Sequence, residues 1–216
     1  MRHALGIVAL VALAAPAASL AEELFDQPAS AEQLLQTILA LPAAELSSAQ
    51  VLRGRFIQRR NLSGLPRPLV SRGEFLLARD TGILWETREP FASEFVLTES
   101  GMILRDGDTQ SRVTSTDQPA LRAPLELFLA VFALDLARLE KSFELYGEGD
   151  GSYWRLDLRP RQARMAEVFT RAIVSGSRYV ERIELEAPNG DRTEIELTAV
   201  AASSEPLDAH EGARFR

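Results

Sequence analysis

Two histidines and no cysteine in 216 residues narrow the available chemistry before any fold is considered. His3 lies in the first few residues and His210 close to the C-terminus. A Ser-His-Asp triad, a histidine zinc site or a histidine general base would each rest on His210 alone. The lack of cysteine excludes a thiol nucleophile, a thiolate metal centre and a Cys-x-x-Cys redox pair. Carboxylates are plentiful, and Glu181, Glu184, Glu186, Glu194 and Glu196 are the densest set. Two of them at catalytic separation could hydrolyse a glycoside, but their spacing fits the wet side of an edge hairpin. Asp106-Gly107-Asp108 resembles the start of a calcium loop. It lacks the flanking helices and the twelfth-position glutamate, and reads as a hairpin turn. Among the 24 basic residues only Lys141 is lysine. Arg53, Arg55, Arg59, Arg60, Arg67, Arg72 and Arg79 crowd one stretch and read mainly as a solvated strand face. No catalytic residue, metal or cofactor is expected.

These side chains are carried by mainly antiparallel β-structure. Ser30 and Gln33 form a capping box, and Leu34, Leu35, Ile38, Leu39 and Leu41 follow at helical spacing until Pro42, which is expected to end the helix. From Val51 the period becomes two, with Leu52, Gly54, Phe56 and Gln58 on one face and Arg53, Arg55 and Arg59 on the other. Further strands are predicted over 69–78, 83–87, 95–98, 102–105 and 111–114, joined by tight turns that leave no room for crossover helices. Residues 124–134, Pro-Leu-Glu-Leu-Phe-Leu-Ala-Val-Phe-Ala-Leu, are apolar nearly all round, so this helix must be buried or meet something greasy. Strands resume over 143–146, 153–158, 171–175, 179–186 and 193–200, with a loop or short helix at 160–169. For the last hairpin, a three-residue loop pairing Leu185 with Ile195 and Ile183 with Leu197 keeps the apolar residues on one face. From Ser203 the chain reads as a polar tail.

The N-terminus reads as an export signal. Arg2 and His3 precede the apolar run Ala4–Leu13, Pro16 breaks it, and Ser19-Leu20-Ala21 offers a small-x-small cleavage site. The run is shorter than the ~20 apolar residues needed to cross a bilayer. Residues 1–21 are thus a signal peptide, and 22–216 one domain released into the periplasm, expected to be monomeric. The formal charge of −7 becomes about −8 without Arg2, an acidic balance unsuited to nucleic acid.

Four stretches, with Pro90 between the last two, carry a family resemblance. Gly54-Arg55-Phe56-Ile57-Gln58 resembles a small-x-Phe-x-Gln strand. Ser71-Arg72-Gly73-Glu74-Phe75-Leu76-Leu77 resembles a Gly-x-Phe/Leu strand. Arg79 to Trp85, Pro90, and Leu97 to Arg105 follow in the same order. Together they resemble the LolA family, periplasmic carriers of outer-membrane lipoproteins. The match is strongest over 50–105. Asp80 stands where the family usually has Pro, and Glu99-Ser100-Gly101 replaces Ser-Asp-Gly, as in a divergent branch.

The resemblance implies an α+β, mainly antiparallel fold: an incomplete, half-open β-barrel covered by short helices, with an apolar cavity for acyl chains. Phe56, Phe75, Leu77, Trp85 and Phe95 are expected to face that cavity, with Leu127, Phe128, Val131 and Phe132 covering it. Arg79, six residues before Trp85, matches the family's functional arginine and is expected at the rim, linking barrel, helices and partner, with Asp80 able to pair with it. The implied role is non-enzymatic. Acylated lipoprotein or related lipid is collected from an inner-membrane transporter and delivered to an outer-membrane receptor. The sequence also fits a protein-binding or structural module whose sheet edge docks a partner, and a carboxylate hydrolase.

The signal reading makes a direct prediction. N-terminal sequencing of the exported protein should begin at Glu22, in the soluble periplasmic fraction; an intact Met1 in the membrane pellet would contradict it.

Overall fold

The computed structural model describes residues 27–114 and 128–216. The expected signal peptide and positions 124–127, including Leu127, lie outside the described residues. Eleven antiparallel strands form one sheet: β1 (Val51–Asn61), β2 (Leu69–Ala78), β3 (Gly82–Glu89), β4 (Ser93–Thr98), β5 (Gly101–Asp106), β6 (Thr109–Thr114), β7 (Phe143–Gly149), β8 (Trp154–Pro160), β9 (Arg171–Gly176), β10 (Val180–Glu186) and β11 (Arg192–Ser203). Their order is β6-β5-β4-β3-β2-β1-β11-β10-β9-β8-β7. Two meanders therefore meet where β1 pairs with β11, and among the described residues the sheet remains open between β6 and β7. One apolar cluster joins Phe56, Phe75 and Ile83 of the first meander to Leu156, Val174 and Ile183 of the second. The sheet therefore curls around a shared interior as an incomplete barrel.

Helices cover that interior. α1 (Ala31–Leu34) starts at the Ser30–Gln33 capping box, whose two bonds are 3.2 and 2.9 Å. Pro42 does not end the helix. A π-type turn over Leu35–Leu39 intervenes, and α2 (Ala40–Ser47) continues beyond the proline. Leu39, at φ −119° and ψ 6°, breaks the regular ladder. Pro42 thus falls in the first turn of a renewed helix, where an N–H has no intrahelical acceptor to lose. The extra residue also rotates the apolar stripe. Leu34, Leu39 and Leu46 are buried, while Leu41, read as part of the stripe, is 81% exposed. The Ala29 N–H donates to the Leu145 carbonyl at 2.8 Å, so the N-terminal segment partly covers the β7 edge. Residues 128–132 are helical and precede α3 (Leu136–Leu139). A short α4 (Ala163–Ala166) joins β8 to β9.

The β10–β11 register differs from the expected one. Ile183 pairs with Ile195, Leu185 with Thr193 and Glu186 with Arg192 across a five-residue loop. The shift is two residues, so the same side chains stay on the same faces, and hydrophobic patterning could not separate the two registers. The loop is held by its own side chains. Asn189 Oδ1 accepts from the Asp191 N–H at 3.1 Å, and Asp191 Oδ1 accepts from the Ser63 N–H at 2.6 Å. The hairpin is also interior, with β11 on β1 and β10 on β9. Its glutamates belong to a charge lattice on the outer face. Arg182 bridges Glu184 at 2.9 Å, Glu194 at 2.8 Å and Glu196 at 3.5 Å, and so offsets the like-charge Glu184–Glu194 pair.

The C-terminal segment is not a loose polar tail. An Asp208–Glu211 capping box starts α5 (Ala209–Arg214). Leu207 and Phe215 pack on a second apolar cluster made by Val51, Leu76, Leu84, Val96 and Ile103 on the outer face of β1–β5. Arg53 grips Glu211 through two 2.7 Å hydrogen bonds. Arg214 pairs with Glu86 at 2.6 Å and closely with Glu94, and Arg105 donates to the Arg214 carbonyl at 3.0 Å.

The hydrogen bonds from Arg53 hold the Glu211 carboxyl below its ordinary range. A lowered folded-state value gives a stabilisation that is complete above the unfolded pKa of about 4.3 and is lost as the pH falls through the folded value. Hydrogen-exchange protection of Ala209–Arg214 should therefore drop on acidification below about pH 4, and Glu211→Gln should flatten that dependence. Equal protection at neutral and acid pH would contradict the latch.

Candidate functional site

Two glycines set the inner wall. In the β1–β2 register Phe56 lies opposite Gly73, and Phe75 opposite Gly54. A Cβ on Gly54 would come within 2.5 Å of the Phe75 ring, and one on Gly73 within 2.8 Å of the Phe56 ring and 1.8 Å of the Glu86 carbonyl. Each ring thus lies over the glycine of the neighbouring strand, which keeps both rings flat against the sheet. Trp85 of β3 stacks on Phe56 at 4.0 Å and on Phe75 at 6.0 Å. Phe132 tilts onto Phe75 at 5.5 Å, joining the 128–132 helix to this stack.

Beside the stack the interior is hollow. A cavity of about 430 Å³ lies between Phe128 and Val131 above and Leu158, Val174, Ile183 and Ile195 below, with Met165, Val168 and Phe169 at its side. Phe128, Leu185 and Ile195 also border a second space of about 320 Å³, which reaches Trp85 and Phe95. Both volumes fall in the range of small-molecule sites, roughly 300–1,000 Å³. Both reach the end of the sheet where β1 finishes, β11 begins and α4 crosses. Polar groups stand only at that end: Gln58, Arg60 and Thr193 on the smaller space, Gln162 and Arg164 on the larger.

Arg79 lies at the opposite end. It is exposed just past β2, and its Nη2 donates to the Leu46 carbonyl in the last turn of α2 at 2.8 Å. Its own N–H donates to the Gln50 carbonyl at 2.9 Å. Among the described residues it makes no ion pair with Asp80. A cation at a helix C-terminus meets carbonyls that have no intrahelical donor. Arg79 also borders a mixed polar and apolar cleft of about 550 Å³ with Leu77, Leu129 and Arg138.

The sequence profile described as outer membrane lipoprotein carrier protein LolA-like matches residues 29–213. The chain belongs to this LolA-like family. No curated protein sequence matches it. Among solved structures it is similar to a LolA superfamily protein of Nitrosomonas europaea, with 9% identity, TM-score 0.44 and coverage of 82% of this chain and 96% of that one. It is similar to the Pseudomonas aeruginosa MucA/MucB complex, with 14% identity, TM-score 0.45, and coverage of 86% of this chain and 60% of that one. It is also similar to the Mycobacterium tuberculosis lipoprotein LppX, with 7% identity, TM-score 0.40, and coverage of 82% and 98%.

Within this LolA-like interior the residues singled out from sequence fall into three places. Phe56, Phe75 and Phe132 are buried in the aromatic stack. Trp85, Phe95, Phe128 and Val131 line the hollow spaces, and Leu77 lines the Arg79 cleft. Leu127 lies outside the described residues. Sequence reasoning missed the wall supplied by the second meander. Its signal was present in the alternation Leu156/Leu158, Ala172/Val174 and Ile183/Leu185, the same period that marked the first meander.

Arg79→Leu removes a single charge-assisted bond at an exposed site, so global stability should fall by about 1 kcal/mol or less. Local opening of α2 should rise more, as faster amide exchange over Ala40–Ser47. Unchanged exchange there would remove Arg79 as the tie between rim and helix.

Proposed function

We propose that this LolA-like chain is a non-enzymatic periplasmic carrier. It holds the acyl chains of a lipoprotein or related lipid inside the half-barrel and passes them from an inner-membrane transporter towards an outer-membrane receptor. The observation that supports this most is the pair of adjoining apolar spaces beneath Phe128 and Val131. An ordinary core closes on itself at close-packed density, whereas here apolar side chains face each other across hundreds of cubic ångströms. Each methylene taken from water contributes about 0.8 kcal/mol, so such a space can retain an acyl chain without covalent chemistry. Arg79, joining the barrel rim to α2, is suited to couple transporter or receptor docking to movement of the covering helices.

A fluorescent acyl probe should bind at micromolar protein and quench Trp85, which lines the smaller space. Val131→Trp, which adds bulk over the larger one, should weaken binding at least tenfold with the fold intact by circular dichroism. Native mass spectrometry of the exported protein should show an acylated species carried along. A folded protein that neither binds the probe nor retains any acyl species would instead favour a protein-docking module.

A further inference from the structure

The arginines of this chain are mostly paired with acids, and the exceptions are informative. Among the described residues, only the guanidinium groups of Arg55, Arg60, Arg67, Arg112, Arg164 and Arg216 take part in no ion pair, hydrogen bond or ring contact. Two of these six stand on the apolar spaces, and each has a glutamine two residues before it that lines the same space: Gln58 with Arg60, Gln162 with Arg164. On β1 a spacing of two puts Gln58 and Arg60 on one face, the inner one. Arg60 pairs in register with Thr193 at the start of β11. Arg171 at the start of β9 pairs with Glu186 at the end of β10. Since α4 leads into β9, both Gln-Arg pairs lie at the same end of the barrel. The acid that feels the charge of Arg60 there is Asp191. It is held below its ordinary range first by the Ser63 N–H, then by Asn189, and more weakly by Arg60, with which it forms no ion pair.

An acyl chain alone needs no cations at the mouth of its cavity. A solvated guanidinium beside an apolar opening suits an amphiphile whose polar end is an anion, because carboxylate and phosphate oxygens accept its fork of N–H donors. We infer that the cargo is an anionic acyl lipid. Its hydrocarbon occupies the spaces under Phe128 and Val131, and its phosphate or carboxylate head is received by the Gln58–Arg60 and Gln162–Arg164 donors. This inference rests on the carrier reading and narrows it. A thioether-linked, fully acylated lipoprotein terminus presents no charge at the same place.

The test compares a fluorescent fatty acid with its methyl ester, identical in tail, below their aggregation concentrations and at a pH where the acid is ionised. The acid should bind about 5–10-fold more tightly, which is what two exposed charge contacts of up to about 1 kcal/mol each can supply. That preference should shrink as salt is raised. A lysophosphatidic acid probe should share the preference, whereas inorganic phosphate at equal concentration should not compete. In Arg60→Gln/Arg164→Gln the acid-to-ester ratio should fall towards one, while Arg112→Gln, away from both spaces, keeps it. Equal binding of acid and ester by the natural protein overturns the head-group assignment and leaves acyl carriage standing. So does a preference that persists in the double variant, and competition by inorganic phosphate would make the arginines a free-anion site. Binding of neither probe to folded protein overturns the carrier reading itself.

Discussion

The β1–β11 pairing joins two meanders that are otherwise built from neighbours in sequence. Every other strand pair is a local hairpin or a short connection, but Arg55 meets Thr198 and Asn61 meets Arg192 across most of the chain. Without that seam, β1 and β11 would both be bare edges, with unpaired N–H and C=O groups open to aggregation. The interior would be split as well, because the aromatic stack stands on β1–β3 and the larger cavity on β8–β11. The seam bends where Arg53 pairs with Ala201 and Arg55 with Thr198, which leaves two residues of β11 against one of β1. Ala199 takes φ +52° there, and such a bulge increases local twist and helps a sheet curl. Contacts of this sequence separation are expected to form late in folding.

Curling gives the sheet two unequal outer halves. Over β1–β5 the outer face is apolar and would be wet without the C-terminal segment, so α5 and Phe215 complete a second small core. Over β7–β11 the outer face is a lattice of charges. Asp157 is fully buried in it, with Arg171 at 2.9 Å and Arg159 at 3.0 Å, and Arg159 lies 4.0 Å over the Tyr146 ring. Its Oδ1 finds no hydrogen-bond partner among the described residues. Buried ion clusters of this kind add little net stability compared with apolar packing, but losing one partner strands a charge and is costly. The positive charge of this arginine-rich sheet is thus largely neutralised within the face itself: most of its cations have an acid as cross-strand or near neighbour.

Strands, turns and inner faces were legible in the sequence because period-two alternation and Gly, Asn and Asp turns report directly on burial and backbone geometry. The resemblance over 50–105 had a steric content that the sequence alone did not reveal: Gly54 and Gly73 are where they are because Phe75 and Phe56 lie across them. Three features needed longer-range information. Pro42 does not end the helix because a π turn restarts the helix just ahead of it, which residue spacing does not reveal. The β10–β11 register differs by two residues from the one that alternation suggests, because side-chain alternation cannot distinguish shifts of two. The C-terminal latch leaves little trace in the sequence beyond the capping-box spacing of Asp208 and Glu211, because its apolar content is only Leu207 and Phe215, and the surface they cover belongs to distant strands. The cavity was half seen: its aromatic wall lies in the stretch with recognisable motifs, and its aliphatic wall in strands with none.

The cover is anchored at one end and meets the cavity at the other. The helix over 128–132 closes with the Asp135 N–H on the Ala130 carbonyl and the Leu134 N–H on the Val131 carbonyl, a Schellman arrangement that places Leu134 at φ +50°. A leucine held there costs roughly 1–2 kcal/mol compared with glycine's freedom. That cost persists because Leu134, with Ala130 and Phe132, is buried in the main core, and burial of a leucine contributes about 1.5–3 kcal/mol. Phe128 and Val131, by contrast, are only partly buried and face hollow space. Displacing Phe128 gives up its 6.4 Å stacking on Phe132, whereas displacing Phe132 breaks that contact and also the one with Phe75 and the aromatic stack behind it. Along this one segment, packing is therefore tightest at the Phe132–Leu134 end and loosest at Phe128, the end that borders the hollow spaces next to Arg60 and Arg164.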